Sequence, residues 1–208
     1  VKIKERVWFP VFYIFVLTFV LTAILIVFGF FTREQVKNNA RIAFERAVLE
    51  SIPIDLPEKI SIARIHELYA SLIRDPDDHS GTALRYMKND SLIAYVLPIQ
   101  GAGFWAPIKG VIGIAKDSMT ITGISFYEQN ETPGLGGEIV KYPFRSQFKG
   151  KILLPGPRPI EIRTAAMELD KNAVHAITGA TQTSMRLESF LNEALSAWLQ
   201  AIGKNQTE

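Results

Sequence analysis

The stretch HAITGATQTS (175–184) crowds four hydroxyl side chains, Thr178, Thr181, Thr183 and Ser184, around Gly179 and Ala180, just ahead of a strongly patterned segment. One helix needs a single capping hydroxyl. The surplus, with two small residues clearing space beside Thr181, suits either an incoming phosphate or additional capping. A helix N-terminus supplies free N–H donors and the positive end of its dipole to such an anion. Gly-x-x-x-x-Gly-Lys-Ser/Thr does not occur in the sequence, which argues against a P-loop nucleotidase.

Two further loops carry candidate chemistry. In NETPGLGGEI (130–139), Pro133 presets a turn, while Gly134, Gly136 and Gly137 permit close backbone approach and leave Leu135 to project alone. That leucine would serve as an apolar surface under a flat ring, with Glu131 and Thr132 as polar contacts at its edge; an ordinary hairpin loop is the competing reading. In QGAGFWAPIKG (100–110), Ala106 stands where a dinucleotide fingerprint needs its third glycine, and the loop lies between strands, so a Rossmann site is rejected. The simplest reading there is a turn whose Phe104 and Trp105 plug the core. Ser184 and His175 are close in sequence, but no Gly-x-Ser-x-Gly elbow accompanies them. The remaining histidines, His66 and His79, lack an i+4 partner and read as solvated rather than metal-binding. Of three Asn-x-Ser/Thr sequons (Asn89, Asn130, Asn205), the second falls inside the proposed site, which makes sugar attachment the poorer use of it.

The elements that must position these loops follow from the patterning. Residues 7–32 contain no charged side chain and exceed the roughly 20 residues that a helix needs to span a bilayer. The apolar stretch is too long for a signal-peptide core and no small-x-small cleavage site follows, so an uncleaved span is expected rather than a secretory leader. Lys2, Lys4 and Arg6 precede it and Arg33, Lys37 and Arg41 follow; we take residues 1–6 as cytoplasmic, which puts the rest on the outer face. Helical periodicity continues to about Ile52 and recurs over Ile60–Ile73, so residues 33–81 form a helical connection. From Thr82 to Phe126 the texture is that of strands, and four β-rich runs (82–87, 91–99, 108–115, 119–128) separated by turn signals imply an antiparallel sheet. A final helix is expected over Thr183–Ile202, with Leu187, Leu191, Leu195, Trp198 and Leu199 on one side and Gly203 as its stop. The fold class is therefore α+β: one N-terminal transmembrane helix, then a domain of about 170 residues whose antiparallel sheet is flanked by helices, packed on one face, with the ligand-binding core in 82–208.

Composition narrows the function. The chain of 208 residues has no cysteine, which excludes disulfides, thiolate metal sites and cysteine nucleophiles. A net charge of +2 from 23 basic and 21 acidic residues, without a basic tract in the soluble part, gives no reason to expect nucleic acid as a partner.

YEQNETPGLGGEI (127–139) followed by HAITGATQTS, behind a single apolar N-terminal segment, resembles the FMN-binding domain of the C subunit of sodium-translocating NADH:quinone oxidoreductase and of the G subunit of the Rnf complex. The resemblance covers nearly the whole chain and includes GAGFWAPIKGVIGI (101–114) and FRSQFKGK (144–151). In that family, a Ser/Thr-Gly-Ala-Thr motif carries FMN through a phosphoester on its last threonine, here Thr181. The resemblance implies that Gly179 and Ala180 make room for the phosphate, that Thr178, Thr183, Ser184 and the helix end hold its oxygens, and that Leu135 and Trp105 flank the isoalloxazine, with Glu131, Thr132 and Gly136 completing the site. Lys109, Lys141 and Lys151 are candidate supports for the phosphate. One departure stands out: the family has an aspartate three residues before the Ser/Thr of the motif, where this chain has His175.

By the same resemblance the chain would be an electron-transfer subunit of an ion-translocating oxidoreductase complex in the bacterial inner membrane, without turnover of its own. Other membrane subunits would be its standing partners, and a flavin transferase drawing FMN from FAD would be a transient one. The GFWAPIKG and YEQNETPGLGGE stretches lean to the quinone reductase subunit and the chain length to the Rnf subunit. A membrane-anchored module that binds a phosphate-bearing ligand reversibly, and a structural assembly subunit, are the alternatives.

Overall fold

The structure is a computed structural model that describes residues 8–57 and 59–205; the expected cytoplasmic segment 1–6 lies outside the described residues. The chain divides into two units, Val1–Arg41 and Ile42–Glu208. Helix α1 (Trp8–Ser51) runs without interruption and ends one residue short of the expected Ile52. From Val11 to Phe31 its large apolar side chains are exposed, and it is the one helix among the described residues long and apolar enough to cross a membrane.

In the second unit, strands β1 (Ile73–Arg74), β2 (Leu84–Lys88), β3 (Ser91–Ala102), β4 (Pro107–Ala115) and β5 (Ile121–Glu128) form an antiparallel sheet in sequential order. The β2–β3 reversal places Asn89 and Asp90 at positive φ, as a tight hairpin turn requires. Asp117 closes the β4–β5 link by accepting the N–H groups of Met119 (2.9 Å) and Thr120 (2.8 Å). A parallel pair, β6 (Glu161–Arg163) and β7 (Ala173–His175), lies apart from the main sheet and has no counterpart in the sequence reading.

Helices cover both faces of the sheet, where the sequence reading expects one. The cause is the composition of β3 and β4. Ala94 and Val96 join one cluster with Leu49 of α1 and Ile65 of α2 (Ile62–Leu72), whereas Leu97, Ile99, Ile108 and Ile112 join another with Leu187, Leu191, Leu195 and Trp198 of α4 (Thr181–Asn205). Side chains alternate across a strand, so an apolar run without polar alternation demands cover on both sides. Helix α4 starts two residues earlier than expected and continues past Gly203. Its Phe190 ring packs where a Cβ on Gly101 of β3 would stand.

The end of α1 is seated on the sheet by a pair of glycines. Gly113 of β4 lies opposite Gly123 of β5, and the Ser51 carbonyl occupies the space a side chain at either position would need. Thr122 Oγ1 donates to that carbonyl at 2.7 Å. Arg145, in the short helix α3 (Tyr142–Arg145), pairs with Glu50 and donates to Ser125 Oγ at 2.7 Å. Gly113→Ala should destabilise the protein by about 1–3 kcal/mol, because the new methyl meets the Ser51 carbonyl and the Thr122 hydroxyl bonded to it; urea unfolding of the full chain in detergent, followed by circular dichroism, should show a lower midpoint at unchanged slope.

Candidate functional site

Three loops converge on one cleft of about 350 Å³. The first is the β3–β4 reversal, residues 103–106, closed by Gly103 N–H donating to Ala106 O at 2.9 Å. Because the backbone closes this loop on itself, Phe104 and Trp105 point outward. They are 46% and 69% exposed, with ring centroids 4.9 Å apart at 75°. The reading in which they plug the core is thereby overturned, and both line the cleft.

The second loop follows β5. Thr132 O accepts from Leu135 N–H (3.1 Å) and Gly137 N–H (3.0 Å), and Gly134 adopts φ +76°. The chain then enters a short 3₁₀ helix, Gly136–Val140. Leu135 stays 42% exposed at its start. The third loop is a β-turn, Ile177 to Ala180, in which Ala180 N–H donates to Ile177 O at 3.0 Å and Gly179, at φ +79°, holds the third position where a type II turn needs positive φ. A Cβ on Gly179 would lie 3.0 Å from Leu135 Cδ2, so the second and third loops touch there.

Helix α4 begins immediately after that turn. Its first internal bond is Ser184 N–H to Ala180 O (3.0 Å), so Ala180 is the N-cap and contributes no side-chain acceptor. The N–H groups of Thr181, Gln182 and Thr183 therefore have no carbonyl within the helix. They stand beside a cleft that Thr181, Gln182 and Thr183 all line.

Glu131 ties the three loops together. The residue is 5% exposed. Oε1 accepts Trp105 N–H at 3.0 Å and Oε2 accepts the Thr183 hydroxyl at 2.6 Å. Two glycines leave the room: a Cβ on Gly103 would sit 2.5 Å from Oε1, and one on Gly136 2.7 Å from Oε2. Glu131 Oε1 and Oε2 are thus both engaged within the protein.

Of the expected site residues, Trp105, Glu131, Thr132, Leu135, Gly136, Gly179, Ala180, Thr181 and Thr183 line one cleft. Thr178 and Ser184 do not. Thr178 is exposed in the turn, and Ser184, one helical position past Thr183, is buried with its Oγ accepting Ile177 N–H at 3.3 Å. Thr183 donates its only hydroxyl proton to Glu131, so the hydroxyl cannot donate to a phosphate as well. Gln182 and Phe104 line the cleft although neither belongs to the expected set; an earlier helix start would have placed Gln182 in the exposed first turn.

His175 closes β7 outside the cleft, its backbone N–H donating to Gln147 Oε1 at 2.8 Å. The three candidate lysines are engaged elsewhere. Lys109 pairs with Glu128 (2.8 Å), a hydrogen bond that raises its ammonium pKa. Lys141 pairs with Glu138 (2.8 Å), and Lys151 Nζ donates to Asp170 O (3.2 Å).

The Glu131–Thr183 bond can be tested directly. Thr183→Val leaves a buried carboxylate oxygen without its donor and should cost about 1.5–3 kcal/mol, whereas Thr183→Ser should retain most of the stability. Equilibrium unfolding of the two variants side by side measures the difference.

The FMN-binding domain family matches residues 103–196, a span that contains all three loops. Over 128 residues, 60% of this chain, the sequence is 34% identical to the C subunit of the Na(+)-translocating NADH-quinone reductase of Vibrio vulnificus, covering 49% of that protein. Against the protein of the same name from Pasteurella multocida, it is 33% identical over 175 residues, which are 82% of this chain and 58% of the relative. The chain thus spans about half the length of the curated relatives it matches. Among solved structures, the C subunit of the Na(+)-translocating NADH-quinone reductase of Parabacteroides distasonis superposes with a TM-score of 0.70 at 24% identity, covering 82% of this chain and 96% of that one. NqrC of Shewanella oneidensis gives 0.62 at 19% identity, covering 83% and 100%. These two likenesses show a shared fold. The sequence match adds that residues 103–196 of this chain are similar to the FMN-binding domain family.

Proposed function

We propose that the chain is the membrane-anchored flavoprotein subunit of an ion-translocating NADH:quinone oxidoreductase of the sodium-translocating type, and that FMN is joined to Thr181 through a phosphoester. The observation that carries this reading is the position of Thr181. It is the first residue of α4, exposed in a cleft whose walls are the aromatic pair Phe104–Trp105 and Leu135. The relatives named above support the quinone reductase type over the Rnf type.

The residues present suit an FMN phosphate and ring. Gly179 leaves the turn before Thr181 open up to the Leu135 methyl, so the hydroxyl is approachable. The unpaired N–H groups of the first turn of α4 offer donors to phosphate oxygens. Trp105, Phe104 and Leu135 are exposed apolar surfaces on the same cleft, which a flat heteroaromatic ring would cover. In attachment, the Thr181 oxygen forms a new bond to the phosphorus of the FMN half of FAD, the pyrophosphate bond breaks, AMP departs and the hydroxyl proton passes to solvent. A flavin transferase would catalyse this step. Once bound, FMN supplies one-electron and two-electron redox chemistry. The protein's part is to hold the ring through Trp105 and Leu135, and to fix the tether at a helix start that Glu131 locks through Thr183.

In this reading, residues 7–32 are the membrane span, 33–81 connect to the soluble part and 82–208 hold the flavin core, on the outer side of the bacterial inner membrane. Other subunits of the complex exchange electrons with it. Intact mass and in-gel flavin fluorescence after denaturation, on chain co-expressed with a flavin transferase, test the attachment. Wild type should show an FMN-sized increment and fluorescence, and Thr181→Val should show neither. A wild type without the increment, beside a control protein that the transferase does modify, would refute covalent flavin and favour reversible binding or a structural role.

A further inference from the structure

We infer that the cleft accepts a flavin phosphate as a singly charged diester and gains little affinity from a free phosphomonoester dianion, so that flavin occupancy depends on the bond to Thr181 and not on affinity for FMN. This rests on the flavin reading above and concerns which charge form of the ligand the site tolerates.

The charge inventory of the site carries the inference. Among the described residues that line the cleft, Glu131 alone has an ionisable side chain. Its carboxylate is held in the wall by Trp105 N–H and the Thr183 hydroxyl, at 3.0 and 2.6 Å. The three lysines that the sequence offers as phosphate supports are already committed: Lys109 to Glu128, Lys141 to Glu138 and Lys151 to the Asp170 carbonyl. What remains to attract an anion is the first turn of α4, where Ala180 supplies no capping side chain and the N–H groups of residues 181–183 are left over. A helix terminus acts as roughly half a positive charge, and an anion beside it gains about 0.3–1 kcal/mol, or up to about fivefold in affinity. A phosphomonoester near neutral pH carries about −1.5 to −2 charges. The helix end balances only a fraction of that, and Glu131 opposes it. Esterification to Thr181 leaves one negative charge, which the backbone donors satisfy with far less residual repulsion. The covalent bond therefore does the holding, and Trp105, Phe104 and Leu135 select the ring.

The test uses the full chain in detergent, produced without a flavin transferase and confirmed unmodified by mass, titrated with riboflavin and with FMN by flavin fluorescence. Dissociation constants within about tenfold of each other are expected, since a helix end alone must account for any gain from the phosphate. Gln182→Lys adds a cation to the first turn and should raise the preference for FMN over riboflavin by about threefold or more. FMN binding to wild type more than tenfold tighter than riboflavin, or an unchanged preference in Gln182→Lys, overturns the inference and leaves the flavin reading standing. If neither flavin binds, addition of FAD and a flavin transferase decides: attachment at Thr181 supports dependence on the ester, whereas no attachment, with a control protein modified in parallel, removes the inference and the flavin reading together.

Discussion

A carboxylate removed from water must have partners, and the arrangement of the site follows from how Glu131 obtains them. An ionised side chain at 5% exposure is costly unless its oxygens are hydrogen-bonded. The donors come from two places distant in sequence: the tip of the β3–β4 hairpin, through Trp105 N–H, and the first turn of α4, through the Thr183 hydroxyl. Satisfying one buried charge thus fixes the spacing between the aromatic wall and the helix start that presents Thr181. The bonds are local, yet breaking either one would expose the same penalty, which makes the three loops a single mechanical unit.

Glycines set the terms on which that unit can form. A Cβ on Gly103 or Gly136 would lie 2.5 or 2.7 Å from a Glu131 oxygen, so any side chain at either position would push the carboxylate off its donors. Gly113 and Gly123 do the same on the opposite face, where they admit the Ser51 carbonyl at the end of α1. The sheet is thereby clamped from both sides: Leu49, Ile52 and Ile65 on one face, Leu187, Leu191 and Trp198 on the other. Strands β3 and β4 lie in the middle of this sandwich, and the hairpin that joins them carries Phe104 and Trp105 to the cleft. A rigid support of this kind is what lets two exposed aromatic rings hold position without burial of their own.

The four main strands are legible in the sequence because β-branched runs alternate with unambiguous turn residues, and the apolar side of α4 because Leu187, Leu191 and Leu195 recur at helical spacing. The start of α4 is not. Sequence rules look for a hydroxyl at the N-cap, and Thr178, Thr181, Thr183 and Ser184 all offer one. In the structure Ala180 is the cap, and the hydroxyls of Thr183 and Ser184 serve Glu131 and Ile177 instead. Tertiary partners outweigh the local preference. The outward orientation of Phe104 and Trp105 depends on the closure of residues 103–106 into a four-residue reversal, which aromatic content alone does not specify. Glu131 reads from sequence as an exposed polar edge because carboxylates are seldom buried; only the two glycines that flank its oxygens betray its burial, and they are Gly103 and Gly136, on separate loops. The pair β6–β7, at three residues per strand, is too short to leave a periodic signal.

The electrostatic character of the cleft follows from the same arrangement. The three candidate lysines pair with neighbouring carboxylates or a carbonyl, and the one ionisable side chain in the cleft wall, Glu131, is already hydrogen-bonded. Backbone dipoles are then the site's source of positive potential, and they cannot be titrated, moved or withdrawn as a side chain can. Under the proposed reading this suits a redox carrier. A lysine within reach of the ring would respond to each change of flavin charge by reorienting, which costs reorganisation energy on every transfer. Fixed N–H groups at a helix start, held by Glu131 through Thr183, respond little, as preorganised dipoles do in general. The arrangement that makes the cleft a poor trap for a free dianion thus also makes it a stiff environment for a tethered ring, and both properties descend from one buried carboxylate and the glycines that admit it.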